Sequence, residues 1–143
     1  MNNETLLHVS FRTHLLDYFF NWCSLFEFTP AIGVNAEYDD GEVSTREELK
    51  IDEGISIALM QLPAIFTYSV SGVYLLLEYE KDNGVTGSLK IPLGSILFLS
   101  TEQNTEFYIQ CGSIMLKEHE PLEYNESSDD KKWRKVKHLK VVK

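Results

Sequence analysis

Apolar residues near the start of the chain follow a helical period between Ser10 and Phe28. One stripe has spacings of 4, 3 and 4 residues, and a second stripe lies directly beside it. The first consists of Leu15, Phe19, Trp22 and Phe26, and the second of Leu16, Phe20 and Cys23. The pattern predicts one helix that is capped at its start by Ser10 or Thr13 and stopped by Pro30.

The apolar face of this helix is too wide for a helix that covers one side of a small sheet. It indicates either burial on two sides, against its own domain and against a second chain, or a fully internal helix. Periodicity alone does not separate these two interpretations.

After Pro30 the pattern changes to short segments with a period of two. Ile55, Ile57 and Leu59 alternate with smaller residues, which is typical of a half-buried strand. Turn sequences rich in glycine and acidic residues separate the segments. The predicted strands are residues 31–37, 55–60, 65–70, 73–80, 87–91 and 95–99. One helix followed by short strands predicts a mainly β fold, with a small, strongly bent sheet or open barrel.

The 143 residues fit one domain, and the apolar signal fades beyond Met115. We therefore predict a folded body over residues 1–116, a flexible linker over residues 117–137 and a C-terminal motif over residues 138–143. The linker and motif together form a disordered tail in this interpretation.

Charge is distributed unevenly along the chain. Residues 1–130 hold all 22 acidic residues and six basic ones, a net charge of −16, whereas the last thirteen residues carry seven basic and no acidic side chains. An acidic body repels nucleic acid and anionic membranes, so neither is an expected partner. The aliphatic residues at the very end of the basic tail (Leu139, Val141 and Val142) indicate a docking peptide.

Residues with the spacing of a catalytic or metal site are not evident in the sequence. The four histidines and two cysteines have no metal-ligand spacing, and the paired acids Glu47 and Glu48 flank a turn. We therefore expect no enzyme activity, no metal and no cofactor. Two cysteines without a disulfide pattern, no visible signal peptide and no long apolar run predict a cytoplasmic protein.

Three stretches in order resemble one family. The ending "LKVVK" is similar to the "LRVVK" ending of the stringent starvation protein B (SspB) family, adaptors of the ClpXP protease. "HLLDYFFNWCSLFEFTP" resembles that family's "YLLRAFYEWLLDNQLTP", and "KIPLGSILFL" resembles its "SVPLAAVLAI".

The resemblance implies an Sm-like β fold and a cytoplasmic homodimer that binds tagged substrate proteins in a groove. Its docking motif, which would contact the N-terminal domain of ClpX, maps to Leu139, Lys140, Val141, Val142 and Lys143. The expected dimer interface comprises Leu15, Leu16, Phe19, Phe20 and Cys23. The expected peptide groove comprises Leu49, Ile55, Ile57, Leu59, Phe66 and Tyr68.

Other functions remain open from the sequence. The chain fits a regulatory partner of RNA-polymerase-associated starvation proteins, and its composition equally fits a small acidic dimeric chaperone. The tail alone also fits a basic anchor for anionic membrane or nucleic acid. Only a protease adaptor should lose its function when "LKVVK" is deleted while keeping its affinity for cargo.

Overall fold

A long helix, α1 (Asn3–Leu25), opens the chain in the computed structural model, which describes residues 1–104 and 106–118. Asn2 caps the helix, because its side-chain oxygen accepts a hydrogen bond from the Thr5 amide at 2.8 Å. Glu4 in the first turn favours this end through the helix dipole. The predicted start near Ser10 was therefore wrong, since the first turns lack the strong apolar stripe but carry a good cap.

The C-terminal end of α1 closes in a Schellman motif. The Phe28 amide donates to the Cys23 carbonyl at 2.8 Å, and Glu27 adopts a left-handed backbone with φ of 59°. Glycine is the usual residue at this position because a side chain there costs roughly 1–2 kcal/mol. α1 thus ends ahead of Pro30 with a strained glutamate.

The strands form two antiparallel sheets. The first has the order β2-β1-β6-β7, with β1 (Pro30–Asn35), β2 (Ile57–Gln61), β6 (Ile96–Thr101) and β7 (Tyr108–Gln110). The second has the order β3-β4-β5, with β3 (Phe66–Ser71), β4 (Tyr74–Glu80) and β5 (Thr86–Pro92). A short helix, α2 (Thr45–Glu48), and a 3₁₀ turn, Leu93–Ser95, lie between strands.

The predicted fold class is confirmed as mainly β with one N-terminal helix. All six predicted strands form, with ends shifted by one or two residues. The pattern missed β7 and α2, which are too short to establish a period. Residues 119–143 lie outside the described residues, and with them the docking motif and nearly all of the predicted linker.

The core joins α1 to both sheets. Its fully enclosed side chains include Phe19 of α1, Ile32 of β1, Leu75 of β4 and Leu99 of β6. Burying each such side chain contributes roughly 1.5–3 kcal/mol, so this cluster is the main source of stability.

The predicted dimer residues belong largely to this core. Leu16, Phe19, Phe20 and Cys23 are each at most 6% exposed, and Leu15 is half-buried. Side chains already enclosed by their own chain offer a second chain little surface, so among the predicted interface residues Leu15 alone keeps an accessible part. The exposed side of α1 carries other apolar residues, namely Leu7, Phe11, Tyr18 and Leu25.

A buried arginine fastens α1 to the rest of the fold. Arg12 donates to the carbonyls of Leu93 and Ile96, at 2.9 Å each, and to those of Cys111 and Gly112. Burial lowers the pKa of Arg12, because removal from water disfavours the charged form. Charge-assisted bonds to four carbonyls offset that cost.

Two buried tyrosine hydroxyls hold loops to the body: Tyr38 holds the segment that follows β7, and Tyr74 holds the loop between β1 and α2. The Tyr38 hydroxyl donates to the Leu116 carbonyl at 3.1 Å and accepts from the Leu116 amide at 2.9 Å. The Tyr74 hydroxyl donates to Asp40 at 2.7 Å. Burial raises the pKa of Asp40, but hydrogen bonds from Val43, Tyr74 and Glu42 outweigh it, so the pKa lies below its usual value.

Candidate functional site: a cleft between α1 and β3

A cleft of about 510 Å³ opens where the end of α1 faces β3. One wall is the last two turns of α1 and the turn that follows them, and the other is β3 with the two residues before it. Such a volume suits one or two side chains of a bound ligand. The apolar lining consists mainly of Phe20, Cys23, Phe28, Pro30, Phe66 and Tyr68.

Three aromatic rings from two distant parts of the sequence form the inner surface of the cleft. The Phe20 ring meets Phe66 edge-on with centroids 5.2 Å apart, and meets Tyr68 in the same way at 4.7 Å. Edge-to-face packing adds about 0.5–1.5 kcal/mol per pair beyond burial, so the rings are fixed relative to one another. The result is a preformed apolar surface.

Tyr68 is oriented by α1. Its hydroxyl donates to the carboxylate of Asp17 at 2.8 Å. Burial, and then this bond to the carboxylate, raise the pKa of Tyr68 to about 12, so the phenol stays protonated. The bond ties β3 to the helix and keeps the mouth of the cleft at a fixed width.

The rim of the cleft is polar. Asn21, Ser24 and Glu27 are exposed along the helical side, and Glu27 is the one charged residue that lines the cleft within the described ranges. An apolar interior with polar groups at its rim is the usual character of a ligand site.

Among the residues that the structure describes, β3 is the terminal strand of its sheet and pairs with β4 alone. An edge strand presents backbone N–H and C=O groups to which an extended peptide can add. Because Phe66 and Tyr68 of this strand also line the cleft, main-chain pairing and side-chain burial are available at one place.

Only some of the predicted groove residues lie in the cleft. Phe66 and Tyr68 line the cleft, but the other four predicted residues do not. Ile57 and Leu59 point outward from β2, at 61% and 52% exposure, and Ile55 is exposed ahead of that strand. Leu49 is half-buried against the core. The cleft therefore contains two of the six predicted groove residues, and a groove through all six stays a prediction.

Two residues assigned to the dimer interface, Phe20 and Cys23, instead line the cleft. Burial raises the pKa of the Cys23 thiol to about 11, so the thiolate nucleophile is scarce at neutral pH. Cys23 acts as a small apolar wall residue.

Within residues 1–104 and 106–118, no group of three or more histidine, cysteine, aspartate or glutamate residues could hold a metal ion. No helix in that part of the chain is long and apolar enough to cross a membrane.

Comparison of the chain with models of known protein families finds no match, and comparison with curated proteins finds none either. Function is therefore inferred from the cleft, the charge distribution and the sequence resemblance.

Proposed function

We propose that this protein is a non-enzymatic adaptor that binds a peptide segment of another protein and delivers it to the ClpXP protease. The cleft between α1 and β3 would hold the segment, and residues 139–143 would contact the N-terminal domain of ClpX. The observation that carries the proposal is the apolar cleft beside an unpaired strand edge.

The cargo segment binds as an extended strand beside β3. Main-chain hydrogen bonds to the edge supply affinity for any sequence, and alternate side chains enter the cleft. Those side chains are about 6.6–6.8 Å apart on one face of the strand, so two can enter the cleft while the side chain between them points to solvent. Burying two apolar side chains contributes about 3–6 kcal/mol, so micromolar affinity, near −8 kcal/mol, requires the main-chain bonds as well.

The C-terminal motif acts separately from the cleft. Leu139 and Val141 lie on one side of an extended chain and Val142 on the other, so the motif suits a groove on the unfoldase. Lys140 and Lys143 favour acidic surroundings there. The resemblance of this ending to the SspB family supports its assignment to ClpX.

A homodimer in the cytoplasm would present two motifs to one multimeric unfoldase, which increases avidity without new contacts. The exposed residues Leu7, Phe11, Tyr18 and Leu25 support an α1-mediated dimer. Their spacings of 4, 7 and 7 residues place them on one stripe of the helix, as in helices that pair side by side.

The experiment is a pair of substitutions measured with two partners. Val141→Asp should abolish binding to the ClpX N-terminal domain and leave cargo binding unchanged. Tyr68→Asp should weaken cargo binding at least tenfold, by loss of about 1.4 kcal/mol or more, and leave ClpX binding unchanged. Lys132→Ala is the control for the tail and should have little effect on either partner.

Two results would refute the adaptor. The first is a Val141→Asp variant that binds ClpX as well as the parent chain, with binding that falls steeply with salt. That pattern indicates a basic electrostatic anchor. The second is cargo that binds but is not degraded faster by ClpXP, which indicates a holding chaperone.

A further inference from the structure

Glu27 combines two features that no other described residue shares. It lines the cleft, and it occupies the left-handed position of the Schellman motif, with φ of 59°, where glycine is usual. A glutamate at such a position is strained, and strain of this kind is concentrated at ligand and active sites. Glu27 is also exposed, and it follows directly on the helical wall of the cleft.

The charged side chains at the cleft are acidic. No lysine or arginine lines the cleft within the described residues. The carboxylate of Asp17, which does not line the cleft, accepts a hydrogen bond from the Tyr68 hydroxyl. The Glu27 side chain is exposed, and its carboxylate is accessible to an incoming ligand.

We propose that Glu27 determines the specificity of the cleft by selecting peptide segments in which a lysine or arginine neighbours a large apolar side chain. This inference rests on the proposed peptide-binding function. The apolar side chain packs on Phe20 and Phe66, and the cation pairs with the Glu27 carboxylate at the rim. A carboxylate beside a low-dielectric surface attracts a cation more strongly than one in open water. The acidic body, at −16 over residues 1–130, steers such peptides toward the protein.

The chain contains a matched control for this residue. Lys50 also adopts a left-handed backbone, with φ of 55°, and also follows a helix. The Ile51 amide donates to the Arg46 carbonyl at 2.9 Å, which is the Schellman bond that Phe28 makes to Cys23 after α1. Lys50 lies at the end of α2 and does not line the cleft.

The experiment measures fluorescence anisotropy with labelled nonapeptides at about 0.15 M salt. A positional library that contains lysine, arginine, glutamine and glutamate at each position identifies the best binder. We expect that binder to contain lysine or arginine, and replacement of that residue by glutamine to weaken binding on the order of tenfold. Glutamate at the same position should weaken it further.

Glu27→Gly should remove the preference, so that the lysine and glutamine peptides bind equally, while it raises the melting temperature by relieving strain. Glu27→Gln should also remove the preference, without that rise. Lys50→Gly should raise the melting temperature in the same way and leave the peptide preference intact. If Glu27→Gly raises the melting temperature and removes the peptide preference, while Lys50→Gly only raises the melting temperature, the role of Glu27 in recognition is distinct from its effect on folding.

Two results overturn the inference. If the parent chain binds lysine and glutamine peptides equally, or if Glu27→Gly keeps the preference, Glu27 is not the determinant and the adaptor function is unaffected. If no peptide of the library binds the parent chain, the peptide-binding function and this inference both fail.

Discussion

Replacing Tyr38 by phenylalanine removes one oxygen atom and leaves the ring in place. That oxygen makes both hydrogen bonds to Leu116, one as donor and one as acceptor. Tyr38 is 4% exposed and Leu116 is 1% exposed, so water cannot replace the lost partner without local opening. The substitution therefore tests whether these bonds hold the segment after β7 to the body.

The expected loss of stability is about 2–4 kcal/mol. A buried amide and a buried carbonyl left without a partner each cost about 1–3 kcal/mol. The total loss stays below the highest sum of these two costs, because the segment can detach and let water reach Leu116. The Ile114 amide, which donates to the Gly94 carbonyl at 2.9 Å, resists that detachment. Against a total of about 5–15 kcal/mol, the change is large.

Urea denaturation followed by circular dichroism measures the loss, and hydrogen exchange locates it at the Leu116 amide. Tyr108→Phe is the control, since Tyr108 is 58% exposed and should change stability by less than about 0.5 kcal/mol. The reasoning is refuted if Tyr38→Phe costs no more than this control, or if the Leu116 amide exchanges at its original rate.

Three further predictions follow from the same structure. Arg12→Met should lower the free energy of unfolding in urea by about 2–4 kcal/mol. Arg46→Met, which removes bonds to two surface carbonyls, should lower it by less than about 1 kcal/mol. Equal losses in the two variants would contradict the role of burial. The pKa of Asp40 is lowered in the fold, so its stabilisation is full above the unfolded value of about 3.9 and disappears as pH falls through the folded pKa. As pH falls below about 4, the free energy of unfolding should therefore decrease less steeply in Asp40→Asn than in the parent chain. An equal slope in the two chains would contradict this role of Asp40. Phe11→Glu should convert the proposed dimer to monomers in sedimentation at micromolar concentration, and a parent chain that already sediments as a monomer would disprove the dimer.

The strands could be predicted because alternation of apolar and polar residues is a local signal. In β3, the half-buried residues Phe66, Tyr68 and Val70 alternate with exposed residues, and the sequence carries that pattern directly. The helix face was harder. Both predicted stripes are apolar, but within one stripe Phe19 is enclosed while Phe26 is 58% exposed, and only the packing of the sheets decides which.

The cleft could be predicted only in part. Phe66 and Tyr68 were identified from their strand, but their partner Phe20 comes from a helix far away in sequence. Glu27 could not be identified, because a left-handed helix end is recognised in sequence by glycine or asparagine. The signal that remained was Pro30, which marks a nearby helix end without showing its conformation.

The hydrogen bonds of Arg12 can all form only late in the synthesis of the chain. Arg12 and the Gly112 carbonyl are 100 positions apart in the chain. At about 5–20 residues per second, a ribosome needs roughly 5–20 s to make that carbonyl after it has made the arginine. Throughout that interval the Arg12 guanidinium lacks its last carbonyl partner, and the core face of α1, including Leu16 and Phe19, is covered only by the strands already made. The first element to be made is thus the last to be completed.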